Sequence, residues 1–307
     1  MSANESVVNH DHFIDKRRVR KAFERAAPLY DQAAILQREV CDRMLSRLEY
    51  IKYTPDVVLD AGSGTGYGTC KLLERYPDTS ILAIDIATGM HHQARQRVNS
   101  TIPRWRQLFG MGRNQRTSRT RYVVGDIEQL PLEDSCVGLA WSNLALQWCN
   151  DLKKTFDEIR RILKNDGLFM FSTFGPDTLK ELRQAFRHAD DYSHINRFTD
   201  MHDIGDMLVH SGFATPVMDM EYITLTYDEV IGVMRDLKAI GAHNATGARH
   251  PGLTGKNAWQ KAIGHYETLR TGGKLPATFE VVYGHAWKPA PRTSILTPET
   301  RHHIGLE

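Results

Sequence analysis

The run Asp60-Ala61-Gly62-Ser63-Gly64-Thr65-Gly66 follows the apolar stretch Val57-Val58-Leu59 and leads into helix-forming residues from Tyr67. Glycines at such a strand-to-helix turn allow a tight bend and a close backbone approach. A β-carbon on Gly62 or Gly64 would occupy space that a ligand needs. Gly66 completes a D-x-G-x-G-x-G spacing. The carboxylate at the strand end repels a pyrophosphate and attracts a cation. Asp60 therefore favours S-adenosylmethionine (SAM), with its sulfonium and α-ammonium groups, over a dinucleotide.

Nineteen residues beyond Gly66, Ala83-Ile84-Asp85-Ile86 ends a second apolar run and puts a carboxylate at a neighbouring strand tip. Asp85 is suited there to accept hydrogen bonds from both ribose hydroxyls, with Ile86 beside it. Gly125-Asp126-Ile127 follows a third run, where Asp126 would receive the adenine amine and Ile127 would cover the ring. After a fourth run, Trp141-Ser142-Asn143-Leu144-Ala145-Leu146-Gln147-Trp148 either lies beside the reactive end of the cofactor or packs the start of a helix. Asn143 joins the cofactor-binding set on the first of these readings.

Such residues act together only if a frame brings strand tips side by side. Apolar runs at Val57–Asp60, Ile81–Asp85, Tyr122–Val124, Val137–Trp141 and Leu168–Thr173 alternate with helical segments, which predicts a parallel sheet with crossover helices. Two later runs, Met218–Thr226 and Thr278–Trp287, read as a hairpin whose connection has been expanded. The expected fold is α/β and Rossmann-like, a seven-stranded, mostly parallel sheet with a helical cap inserted before the last strand. Residues 1–50 are expected to form helices covering the active site. Residues 51–226 and 277–290 would form the SAM-binding domain, 227–276 the cap and substrate region, and 291–307 a loose tail.

Composition narrows the function classes. The 307 residues are 41% apolar and 25% charged, with a formal net charge of +2, so the overall balance points to neither nucleic acid nor an anionic membrane. Met1–Val19 lacks the apolar core of a secretion signal, and no run approaches a membrane span. Cys41, Cys70, Cys136 and Cys149 form no metal-ligand or redox pair and read as buried, reduced thiols of a cytoplasmic protein. From Arg95 to Arg121 there are eight arginines and no acidic residue. That stretch is either a solvated loop or a docking segment for an acidic partner, with Arg104, Arg106, Arg113, Arg116, Arg119 and Arg121 as the candidates.

In order and spacing, the segments from Asp56 to Thr173 resemble the motif set of class I SAM-dependent methyltransferases. The outer segments extend the likeness. They include Lys16–Phe23, Ala26–Asp31, Ser142–Trp148, Asp200–Asp206, Leu237–Asn244, Gly252–Gly255 and Phe279–Trp287. From about Lys16 to Lys288 the chain resembles malonyl-acyl-carrier-protein O-methyltransferases of biotin synthesis, and the basic stretch Ile102–Arg121 departs from them. The resemblance implies methyl transfer from SAM to the free carboxylate of a malonyl thioester, carried by acyl carrier protein or coenzyme A. It implies a pocket drawn from Tyr30, Gln147, Trp148, His202, His243 and Asn244, with Arg197 or Lys238 as distal charge partners. No metal is needed for this chemistry. Rival readings are another small-molecule methyltransferase, a nucleic-acid methyltransferase, and a SAM-binding assembly factor that has lost methyl transfer.

Overall fold

The computed structural model describes residues 13–100, 119–189, 192, 194–242 and 255–291. His243, Asn244, Arg104, Arg106, Arg113, Arg116 and nearly all of the expected tail lie outside the described residues. Helices α1 (Lys16–Ala26), α2 (Tyr30–Ala33) and α3 (Ile35–Leu48) precede β1 (Val57–Ala61), α4 (Tyr67–Arg75), β2 (Ser80–Asp85), α5 (Thr88–Ser100), β3 (Thr120–Val124) and β4 (Val137–Asn143). A short 3-10 turn, Leu146–Trp148, and a helix, Leu152–Ile162, lead to β5 (Leu163–Phe174). Helices Lys180–Arg187 and Met201–His210 precede β6 (Ala214–Tyr227). Helices Val230–Ala239 and Lys256–Glu267 separate β6 from β7 (Leu275–Trp287).

The seven strands lie in the order β3-β2-β1-β4-β5-β7-β6. All pairings are parallel except those of β7, which runs antiparallel to both β5 and β6. The expected hairpin is therefore present, paired from Ala214 opposite Trp287 to Tyr227 opposite Leu275. β5 begins five residues before the expected Leu168, because its first part carries the polar Lys164-Asn165-Asp166, which hid the strand in the apolar pattern.

Both faces of the sheet are covered, as the period of two requires. Val58, Leu139 and Met170 pack toward α3, α4 and the two helices between β6 and β7. Their chain neighbours Leu59, Ala140 and Phe169 pack on the other face toward helices Leu152–Ile162 and Met201–His210. Side-chain oxygens cap the helix starts. Asp15 accepts from Arg17 N and Arg18 N, and Asp151 accepts from Lys154 N.

The chain leaves β1 for β2 and β3 on one side and returns to β4 on the other. At this switch point the connections diverge, opening a crevice beyond the carboxyl ends of β1 and β4. Asp60 pairs with Ala83 and Asp85 with Val124, so the two acidic tips stand at the same edge.

Two expectations need correction. Cys41 and Cys70 are buried, but Cys136 and Cys149 are only half-buried, Cys136 just before β4 and Cys149 where it lines cavities beside the Leu146–Trp148 turn. Arg119 is not free for docking, since its guanidinium donates to the carbonyls of Tyr76, Pro77 and Thr79 and pins the entry to β3.

Gly284 on β7 faces Phe171 of β5, and an added β-carbon would lie 2.3 Å from the Phe171 ring and 2.9 Å from Met218 Sδ. Gly284→Val is expected to lose roughly 1–3 kcal/mol or more by overpacking. Urea unfolding checks this, and a midpoint unchanged from wild type would show that the ring moves aside freely.

Candidate active site

Three cavities meet over the crevice. One, of about 80 Å³, lies between the glycine turn, the tips of β2 and β3, and α1, and its lining includes Asp85, Ile86, Asp126, Ile127 and Trp148. A second, of about 50 Å³, lies under α2 and the start of α3, and is lined by Gln37, Arg38, Asp60, Ser63, Trp141 and Asn143 among others. The third is the roomiest at about 390 Å³, and its walls are mainly apolar, including Phe174, Leu179, Leu182, Phe198 and Phe279. Tyr30 is the one residue that lines all three. Lys238, an exposed residue, is among those lining the large cavity, whereas Arg197 lines a separate outer cleft.

The three glycines differ in what holds them. All have positive φ, at 78°, 52° and 80° for Gly62, Gly64 and Gly66. A β-carbon on Gly62 would lie 2.3 Å from Ala145 Cβ, and one on Gly66 would lie 2.8 Å from Ala94 Cβ. A β-carbon on Gly64 would meet nothing within 4 Å. The expectation that Gly62 keeps ligand space clear is thus corrected, because the protein's own Ala145 fills that space. Of the three, only Gly64 would point an added β-carbon into open volume.

Asp60 is buried, and its Oδ2 accepts a 2.5 Å hydrogen bond from Thr69 Oγ1. Burial pushes its carboxyl up to about 7, against the opposing pull of Thr69, and the neighbouring Asp85 adds to the rise. Asp85 accepts from Ala87 N at 2.8 Å and Gly64 N at 2.9 Å, so its carboxylate also braces the glycine turn. Burial raises Asp85 to about 6, limited by those backbone donors.

The N-terminal segment roofs the crevice. Lys16 Nζ reaches Asp126 at 2.9 Å and Glu128 at 2.5 Å. Glu24 accepts from Thr88 N and Gly89 N, capping α5. Asp31 accepts from Thr65 Oγ1 and pairs with Arg97, whose Nε donates to Thr65 O. Phe23 meets Trp148 edge-on at 5.3 Å between ring centres, and both line the small roofed cavity and the large one.

Among the other expected residues, Gln147 reaches the large cavity, with its Nε2 donating to Leu144 O. Asn143 donates to Gln37 O, and its Oδ1 accepts from Ser172. His202 is not part of these cavities. It sits at the start of helix Met201–His210, its side chain 83% exposed and turned onto Asp200. Cys149 does line the roofed cavity, yet burial pushes its thiol up to about 12, which leaves it neutral and a poor nucleophile.

Residues 59–171 match a methyltransferase domain family. The fold is similar to a putative methyltransferase of Bacillus halodurans, with a TM-score of 0.56 at 18% identity over 80% of this chain and 99% of that one. A malonyl-[acyl-carrier protein] O-methyltransferase of Nitrosospira multiformis is 94% identical over the full length of both chains. One from Gallionella capsiferriformans is 58% identical over 93% of this chain and 95% of its own. The chain belongs to the malonyl-[acyl-carrier protein] O-methyltransferase family. It is a SAM-dependent O-methyltransferase.

SAM fits the residues of this methyltransferase on an observation of its own. Ser63 Oγ, Trp141 Nε1 and Gln37 Oε1 are buried around the second cavity without a hydrogen-bond partner among the described residues. Orphaned buried polar atoms are rare unless a ligand or water completes them. Trp141 lay in the segment expected beside the reactive end of the cofactor, whereas Gln37, Ser63, Lys16, Glu24 and Asp31 were not singled out for the site. Several lay within the quoted N-terminal and strand-end segments, but only tertiary packing assigns them partners.

Binding a cation favours the ionised carboxylates, so SAM affinity is expected to fall as pH drops through about 7 and then about 6. Folding responds in the opposite sense. An acid raised above its ordinary 3.8 contributes stability that is complete below that value and lost as pH rises through the folded value. Titration calorimetry at several pH values should show proton release on binding near neutrality. Asp60→Asn should remove the upper step, and an unchanged profile in that variant would take Asp60 out of the linkage. Gly64→Ala should stay folded and bind SAM more weakly, whereas Gly62→Ala should lose stability. Thermal unfolding with and without SAM separates the two.

Proposed function

We propose that the enzyme transfers the methyl group of SAM to the free carboxylate of a malonyl group held as a thioester on an acyl carrier protein, giving the methyl ester that starts the pimeloyl chain of biotin. The observation that carries this reading is the position of Tyr30, where two small roofed cavities meet one large apolar one. Methyl transfer needs such a junction, because donor and acceptor must enter from different sides and touch at one point. The curated relatives, similar over almost the whole chain, support the same acceptor.

On this reading Asp85 and Ile86 hold the ribose side, and Asp126 and Ile127 border the adenine. Asp60, Asn143 and the orphaned atoms of Gln37, Ser63 and Trp141 face the methionine end. A malonyl carboxylate has an ordinary acid pKa of about 4 and is ionised at neutral pH, so no general base is required. SAM supplies an electrophilic methyl on sulfur, and as a carboxylate oxygen takes it the donor leaves as an uncharged thioether. The protein aligns the two and keeps water out. Burial strongly raises the Tyr30 phenol above its ordinary value, so it stays protonated and can donate to one carboxylate oxygen while the other attacks. Phe23, Trp148 and Leu144 form the apolar wall around that point. Lys238 serves as a distal counter-charge that leaves the attacking oxygen nucleophilic.

Residues up to about 50 and the helices between β6 and β7 act as substrate-facing additions to a SAM-binding core. We place the enzyme in the cytoplasm, where acyl carriers are held and thiols stay reduced.

Incubation with malonyl-carrier protein and SAM should add one methyl group to the carrier by intact mass. Acetyl-carrier and pre-esterified malonyl-carrier should stay unchanged, and equal turnover of the acetyl form would sink the chemistry. Tyr30→Phe should lower kcat about tenfold, the worth of one hydrogen bond to a charged group at ~1.5 kcal/mol, with little change in SAM affinity.

A further inference from the structure

We propose that the cleft between the Leu146–Trp148 turn and helix Met201–His210 seats the pantetheine-type arm of the carrier-borne acyl group. This rests on the reading above, since only a tethered thioester needs a path of this kind. The cleft, of about 1070 Å³, is the most spacious recess described here. Its lining includes Ile14, Leu152, Thr199 and Met207, with Arg197 on the same wall.

Three residues, Gln147, Phe174 and Phe198, line both this cleft and the large apolar cavity. Phe198 and Phe174 meet edge-on at 5.7 Å between ring centres, so a pair of aromatic side chains stands at the boundary between the two spaces. Side-chain rotation can widen such a boundary. The cofactor side is bounded by α1, with Lys16 paired to Asp126 and Glu128 and Phe23 set against Trp148. A tether leaving the junction therefore has a ready exit past Gln147 and Phe198.

The chemistry of the cleft suits that tether. A phosphopantetheine arm alternates short methylene runs with amides, carries a branched dimethyl group, and ends in a phosphate. The cleft offers apolar contacts from Ile14, Leu146, Leu152 and Met207 interleaved with the hydroxyls of Thr173 and Thr199, while the Asn150 side chain is committed to Ile14 N and O. Three acidic side chains, Asp151, Asp203 and Asp206, line the cleft as well; Asp151 is committed to capping Lys154 N, and among the cations Lys153 is paired with Asp157. Arg197, next to Phe198 in the chain, is the cation assigned to the phosphate, because a guanidinium fork matches phosphate oxygens.

The test compares three malonyl donors: the carrier protein, coenzyme A, and the short N-acetylcysteamine thioester, which lacks the outer arm and phosphate. Met207→Trp fills the cleft from one wall and Thr199→Trp from another, so a folding failure of one leaves the other. Either should raise KM at least tenfold for the carrier and coenzyme A donors, with kcat/KM for the short thioester held within about twofold. Arg197→Gln should raise KM several-fold for the two phosphate-bearing donors only. A larger loss on the carrier than on coenzyme A marks the carrier as the source of the arm. Unchanged carrier kinetics in folded tryptophan variants would overturn the proposal, as would an equal loss on all three donors. If the unaltered enzyme methylates no malonyl thioester, the proposed reaction itself fails. That result appears before any variant is compared.

Discussion

Two carboxylic acids taken out of water at adjacent strand tips are costly to hold, and the rest of the molecule is organised around that cost. Asp60 and Asp85 keep their places through Thr69 Oγ1 and the backbone N–H groups of Gly64 and Ala87. Those donors offset part of the desolvation and leave a site that gains by receiving positive charge. A parallel sheet with a switch point beside β1 puts both tips at one edge and leaves the crevice beyond them open. The glycine turn is then bent by the same Asp85 whose carboxylate faces the crevice, so the loop and the acidic tip form one unit.

The roof answers the same electrostatics. Acidic and basic side chains of the N-terminal helices engage partners on the core: Lys16 with Asp126 and Glu128, Glu24 with the start of α5, and Asp31 with Thr65 and Arg97. Each link satisfies a strand-tip or helix-end group that would otherwise need water. Individually, half-exposed pairs of this kind contribute little. Spread along the segment from Lys16 to Asp31, they fix where that segment lies, and its apolar residues Val19, Phe23 and Tyr30 then wall the cavities.

The alternation of apolar runs and helical segments was enough to read the sheet and its late hairpin, because buried strands must be apolar wherever helices cover both faces. It misplaced the start of β5, where Lys164 and Asp166 sit at a bent, solvent-facing end. The strand-tip acids and glycines were visible as spacing, yet spacing could not tell that Ala145 presses on Gly62 while Gly64 borders open volume. His202 was nominated from its surrounding motif, which reflects a helix start capped by Asp200; the imidazole itself is exposed and turned onto Asp200. Gln37 gave no local signal at all, because its significance lies in an amide oxygen left unpartnered where two cavities adjoin.

Phe23 belongs to α1, yet its ring bounds both the roofed cavity beside the tips of β2 and β3 and the large apolar one. A wall held in common cannot respond to one occupant alone. Whatever free energy one ligand gains by drawing α1 down also shapes the surface met by the other, and thermodynamic reciprocity requires the benefit to be equal in both directions. Donor and acceptor are therefore expected to bind cooperatively, with the shared aromatic wall of Phe23, Tyr30 and Trp148 as the mechanical link between them.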